Sequence, residues 1–99
     1  DQARITTAIS ELARNIFLYA GKGTIEVTVV DDTGSKGIKI VAIDSGPGIR
    51  DIKTVMRDGF STSGGLGAGL SGVKRLMDCF DIQTELGEGT VVTAIKWLR

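Results

Sequence analysis

The chain contains no histidine. That absence excludes Ser/His/Asp triads, Cys/His nucleophile pairs, His-ligated zinc and a phosphohistidine. Cysteine is nearly missing too. Cys79 stands alone, so no internal disulfide can form and a reducing, cytoplasmic setting is expected. Cys79 falls in the apolar-patterned segment Leu76 to Phe80, which predicts a buried structural thiol rather than a nucleophile. Neither sign of charge is in excess: 12 basic residues meet 12 acidic ones. Composition therefore provides no electrostatic hold on nucleic acid or on an anionic lipid surface. No apolar run approaches the length needed to span a membrane.

What is present points to one modest domain. The 99 residues are 41% hydrophobic and 24% charged, the balance of a soluble globular chain with a core of limited size. The sequence opens at Asp1 without an initiator methionine and enters a helical pattern at once. It reads as a piece of a longer protein.

Residues 3 to 20 predict a helix, because Ile5, Ala8, Ile9, Leu12, Ile16 and Tyr19 recur at helical spacing and share one face. Glu11 and Asn15, four apart, sit one above the other on its shoulder. Residues 24 to 31 alternate and are rich in β-branched side chains, as a half-buried strand should be. A turn over 32 to 37 leads to a return strand over 38 to 44. The two-residue period puts Ile38, Ile40, Ala42 and Asp44 on one face. Asp44 then points into the interior at the end of its strand, where a carboxylate needs a partner. A short amphipathic segment follows over 52 to 56, then a helix over 70 to 80, then strands over 82 to 86 and 91 to 98. The pattern predicts an α/β (α+β) two-layer sandwich, with a largely antiparallel sheet and helices on one face.

Glycine is concentrated in the stretch from Ser61 to Gly72, "STSGGLGAGLSG". So dense a cluster serves sharp bends or close approach to a ligand, and phosphate is the usual ligand of that kind. The part from Gly67 to Gly72 matches the dinucleotide pattern G-x-G-x-x-G, with Glu85 beyond it. That reading fails, because the preceding residues 57 to 63 do not form the required buried strand. The Walker ending Gly-Lys-Ser/Thr is absent as well. A glycine loop opening into a helix remains, and its free N–H groups make an anion site.

Three further features lie in fixed order around that loop. They are Glu11-Leu12-Ala13-Arg14-Asn15, Asp44-Ser45-Gly46-Pro47-Gly48 and Gly87-Glu88-Gly89-Thr90. Together with Gly65-Leu66-Gly67-Ala68-Gly69 they resemble the N, G1, G3 and G2 boxes of the GHKL ATPase/kinase superfamily, which includes gyrase, Hsp90, histidine kinases and MutL. The resemblance covers nearly the whole chain. Within the superfamily the wording of "ISELARNI", "DSGPGI", "DGFSTSGGLGAGLSGVKRLMD" and "AIKWLR" is most similar to the small serine/threonine kinases of bacterial partner-switching systems, in particular those of the stressosome. Anti-sigma factor kinases are close to that branch. One of them carries an arginine just before the G2 glycines, where this chain has Ser63 or Gly64. The departure favours the stressosome type and leaves open which cation meets the γ-phosphate.

The resemblance implies a Bergerat-type site for ATP or ADP with Mg²⁺. Asp44 would accept a hydrogen bond from the adenine amino group, Gly46 and Gly48 would let backbone pass near the base, and Thr90 would bond to the purine directly or through water. Asn15 would be the metal ligand, offering its amide oxygen to Mg²⁺. Glu11 would be the general base for the acceptor hydroxyl. Ser63, Gly64, Gly65, Leu66, Gly67, Ala68 and Gly69 would hold the phosphates as part of a lid. The implied partners are STAS-domain stressosome proteins (the RsbS and RsbR types) as substrates and a PP2C-type phosphatase (the RsbU type) to activate. No nucleic acid or membrane partner is implied, and a homodimer is open.

Three readings stand: a protein serine kinase that is also a switch, an anti-sigma factor kinase, and a nucleotide-gated binding module without catalysis. Members of the superfamily carry a strand and a helix ahead of the N box, and this chain lacks them. An exposed sheet edge is expected as a result.

Overall fold

The computed structural model describes residues 2–56 and 69–98, without the side chains of residues 54 and 55. Helix α1 spans Gln2–Tyr19. Strands β1 (Gly23–Asp32) and β2 (Ser35–Asp44) form a hairpin, followed by the short α2 (Ile52–Val55). Helix α3 (Gly69–Leu76) leads into a second hairpin, β3 (Cys79–Glu85) and β4 (Gly89–Trp97). The sheet order is β1-β2-β4-β3, with every neighbouring pair antiparallel. This is the two-layer α/β arrangement that the element pattern predicts.

Register explains the core. Ile40, Ala94 and Phe80 are Cα partners across β2, β4 and β3, and so are Ala42, Val92 and Ile82. Each row presents one face, and α1 and α3 cover it. Ala8, Leu12 and Ile16 come from α1, and Leu70, Val73 and Met77 come from α3 and its end; all six are buried. Small residues at Ala8, Ala42 and Ala94 let the layers approach closely around Leu12, Ile40 and Val73, the largest fully buried side chains. Tyr19, assigned by its spacing to the same face, is exposed at the helix end. On β1, Val27 and Val29 pair with Ile40 and Ile38, yet on this edge strand they are 54% and 64% exposed.

Three local expectations are corrected. The first turn is shorter than the composition of 32 to 37 suggests. Asp32 pairs with Ser35, and Thr33 and Gly34 make a two-residue turn with φ of 49° and 88°, the double left-handed geometry that matches strand twist. Helix α3 stops at Leu76 rather than reaching Phe80. The Asp78 N–H bonds to the Ile95 carbonyl at 2.9 Å, so the chain leaves the helix to join the sheet. Phe80 still turns inward, as a strand residue. Cys79 is exposed, not buried, because it opens β3 on the face opposite to Phe80.

The turn after α3 is held by one carboxylate. Asp78 accepts the Trp97 N–H at 2.7 Å and the Lys96 ammonium at 3.2 and 3.3 Å. Lys96 lies on the core face as the partner of Ile38 and is buried. An ammonium there needs its counter-charge, and leaving it alone costs more than replacing it. Asp78→Ala is therefore expected to lower stability by about 2–3 kcal/mol, and Lys96→Met by about 1 kcal/mol or less. Urea denaturation of both variants checks the order. If Lys96→Met costs as much as Asp78→Ala, the stranded charge is not the source of the loss.

Candidate functional site

Asp44, Thr90 and Thr84 are Cα partners across β2, β4 and β3, so they form one row on the helix side at the end of the sheet. Asp44 is half-buried, and its Oδ1 accepts the Gly46 N–H at 2.9 Å. A side chain that bonds two residues ahead in this way starts a tight turn. The turn puts Gly46 against the end of α1, where a Cβ on Gly46 would fall 2.6 Å from that of Ala20. Beyond the row, a shallow depression also takes in Gln83, Glu88 and Val91.

The G1 turn is seated on the β3–β4 turn. Gly48 has φ of 81°, and a Cβ there would lie 2.5 Å from the Glu85 carbonyl oxygen. Glycine is required both for the left-handed backbone and for the contact. The Pro47 carbonyl accepts the Gly87 N–H at 2.8 Å. The Ile49 N–H donates to Thr84 Oγ1 at 2.9 Å, and that hydroxyl lies 2.9 Å from Thr90 Oγ1 and 3.2 Å from the Gly89 carbonyl oxygen. Thr84 escaped the sequence reading because it lies outside the boxes. Its pairing with Thr90 across the Gly87 turn was the available signal.

Glu11 is buried, not part of a solvated helix face. Its Oε1 accepts from Arg14 Nη2 at 2.9 Å, and its Oε2 accepts the N–H of Gly69, the first residue of α3, at 3.3 Å. The N-terminal end of a helix favours a carboxylate beside it, and the guanidinium adds a second attraction. Asn15, one turn further along α1, is half-buried.

The structure thus gathers Asp44, Gly46, Gly48 and Thr90 at the sheet end, and joins Glu11 to Gly69 between the two helices. Ser63, Gly64, Gly65, Leu66, Gly67 and Ala68, expected to hold phosphate, lie outside the described residues. Among the described residues no group of three or more His, Cys, Asp and Glu side chains could hold a metal.

Comparison with known proteins agrees with the fold. Residues 1–99 match the family described as histidine kinase-, DNA gyrase B-, and HSP90-like ATPase. The serine/threonine-protein kinase RsbT of Bacillus subtilis (strain 168) is 72% identical over 99 residues, covering 100% of this chain and 74% of that protein. The anti-sigma F factor of Thermoanaerobacter sp. (strain X514) is 31% identical over 101 residues, covering 97% of this chain and 70% of its own length. The anti-sigma F factor of Caldanaerobacter subterraneus subsp. tengcongensis is 31% identical over 104 residues, with the same coverage of 97% and 70%.

Gly48→Ala tests the seating of the two turns. Left-handed strain and the collision with Glu85 together are expected to cost about 2–4 kcal/mol. Thermal unfolding of the variant reads this. An unchanged melting temperature would mean that the turns separate without loss.

Proposed function

The chain belongs to the histidine kinase-, DNA gyrase B-, and HSP90-like ATPase family, and from that premise we propose that it is an ATP- and Mg²⁺-dependent protein serine/threonine kinase that also acts as a partner switch. The observation that carries the reading is the Asp44–Thr90 pair at the sheet end, locked beside the G1 turn. Gly46 occupies only one Asp44 oxygen. The other can accept from a purine amino group, and guanine, which presents an acceptor there, would be rejected. The acceptor on offer fits an adenine nucleotide.

Bound ATP with Mg²⁺ supplies the transferable phosphoryl group and neutralises its charge. The chain's residues do the rest. Asp44 and Thr90 select and orient the base. Gly46 and Gly48 keep the G1 backbone close to it. Asn15 offers its amide oxygen to the metal, and Gly69 presents a helix N-terminus to phosphate. Glu11 orients the acceptor hydroxyl and takes its proton. In the structure Glu11 is held by Arg14 on one oxygen and Gly69 on the other, and each oxygen keeps a lone pair for the acceptor hydroxyl.

The high identity to RsbT supports a stressosome role in the cytoplasm, with STAS-domain proteins as substrates and a PP2C-type phosphatase as the partner activated on release. The relatives named anti-sigma F factor favour a second reading, an anti-sigma factor kinase. Capture of a sigma factor rather than a phosphatase would select it.

Calorimetry with ADP, with and without Mg²⁺ and with GDP as control, tests the pocket. The chain is expected to prefer ADP, and Asp44→Asn to weaken binding by about 100-fold, since an amide N–H₂ would face the adenine amino group. Equal binding of ADP and GDP would overturn the reading. Glu11→Ala is expected to lower phosphotransfer to a STAS substrate by about 10²–10⁴-fold while ADP still binds. Unchanged transfer would remove Glu11 from the mechanism.

A further inference from the structure

Thr84 belongs to none of the four boxes, yet its hydroxyl touches two of them. Among the described residues its Oγ1 has three polar neighbours: the Ile49 N–H at 2.9 Å, the Gly89 carbonyl oxygen at 3.2 Å and Thr90 Oγ1 at 2.9 Å. A threonine hydroxyl donates one hydrogen and accepts at most two. The backbone N–H can only donate, and the carbonyl can only accept. All three bonds form together in one arrangement alone. Thr84 accepts from Ile49, donates to Gly89, and receives the proton of the Thr90 hydroxyl.

We propose that Thr84 is a specificity-determining positioning residue: by taking the Thr90 proton, it makes Thr90 Oγ1 an obligate hydrogen-bond acceptor toward the purine. The proposal rests on the adenine-nucleotide reading of the site. Thr90 is buried and is the register partner of Asp44. The Asp44 carboxylate only accepts when ionised, and one of its oxygens already serves the Gly46 N–H. With the Thr90 proton turned away, the wall made by these two side chains offers acceptors and no donor. A purine carrying an exocyclic amino group at position 6 is welcomed there. An amino group there has two hydrogens, one for each acceptor, whereas a carbonyl at position 6 meets both with an acceptor of its own, and the mismatch lowers its affinity. Thr84 itself need not touch the nucleotide. Because the same hydroxyl holds Ile49, the proton direction and the seating of the G1 turn are set together.

The test compares ADP with inosine diphosphate, which differs at position 6 and in the proton on the adjoining ring nitrogen. Affinities for both are measured by calorimetry on the wild-type chain, Thr84→Val and Thr84→Ser, with thermal unfolding to confirm that each variant is folded. Valine keeps the volume and removes the hydroxyl, which frees the Thr90 proton to turn toward the ligand. The preference for ADP over inosine diphosphate is expected to fall about tenfold in Thr84→Val. Thr84→Ser keeps the hydroxyl and is expected to hold the preference within about threefold. A general loss of packing would weaken both nucleotides alike and leave their ratio unchanged. An unchanged ratio in folded Thr84→Val, with wild type still preferring ADP, overturns the role of Thr84 and leaves the adenine reading intact. Absence of any ADP preference in wild type overturns both. Should Thr84→Val not fold, Thr84→Cys takes its place, since a thiol of similar size is a weak donor and a weak acceptor. The same fall in the ratio supports the proposal and the same constancy overturns it.

Discussion

The seating of the G1 turn on the β3–β4 turn is the constraint on which the candidate site depends. Strand β2 ends at Asp44 and strand β4 begins at Gly89, so both strands deliver their terminal residues to one spot. Nothing in a sheet ladder fixes how the two departing loops lie on each other. Here the Pro47–Gly87 hydrogen bond, the Ile49–Thr84 hydrogen bond and the missing side chain of Gly48 do so. Once the turns are locked, Asp44 and Thr90 are held side by side on the helix side of the sheet.

A second tie joins the helical layer to the same region. Glu11 on α1 receives the first N–H of α3, while the end of α1 lies against Gly46. One helix thus touches both halves of the site: the half proposed for the base and the half proposed for phosphate. A carboxylate that bridges two helices and a guanidinium is well placed to respond when an anion arrives, because like charge competes for the same helix N-terminus. This gives the proposed switch a physical handle within the two helices themselves.

Much of the fold was legible because it follows from periodicity. The apolar spacing of α1 and the alternation in β1 and β2 are local patterns, and the elements appear where those patterns place them. The boundaries that failed had tertiary causes. Helix α3 stops at Leu76 because Asp78 is captured by β4, a partner distant in sequence. Cys79 is exposed because that capture makes it a strand residue facing outward. The tight turn at Thr33–Gly34 follows from cross-strand register, which composition does not report. Val27 and Val29 show the limit of patterning in the other direction. Their alternation predicts a half-buried strand, but alternation does not say how much of it is covered.

At the site, the sequence by itself determined the chemistry on offer: a carboxylate before a double-glycine turn, a Glu/Asn pair on one helix shoulder, and small-residue turns in a fixed order. Those residue types set what can accept, donate or bend, wherever they end up. Only the tertiary structure decided that Asp44, Thr90 and Thr84 stand in one row, that Glu11 is buried against α3, and that a threonine outside every motif links the turns. Hydrogen-bond partnership depends on distance and direction between segments far apart in the chain, and neither quantity is contained in the spacing of residues along it.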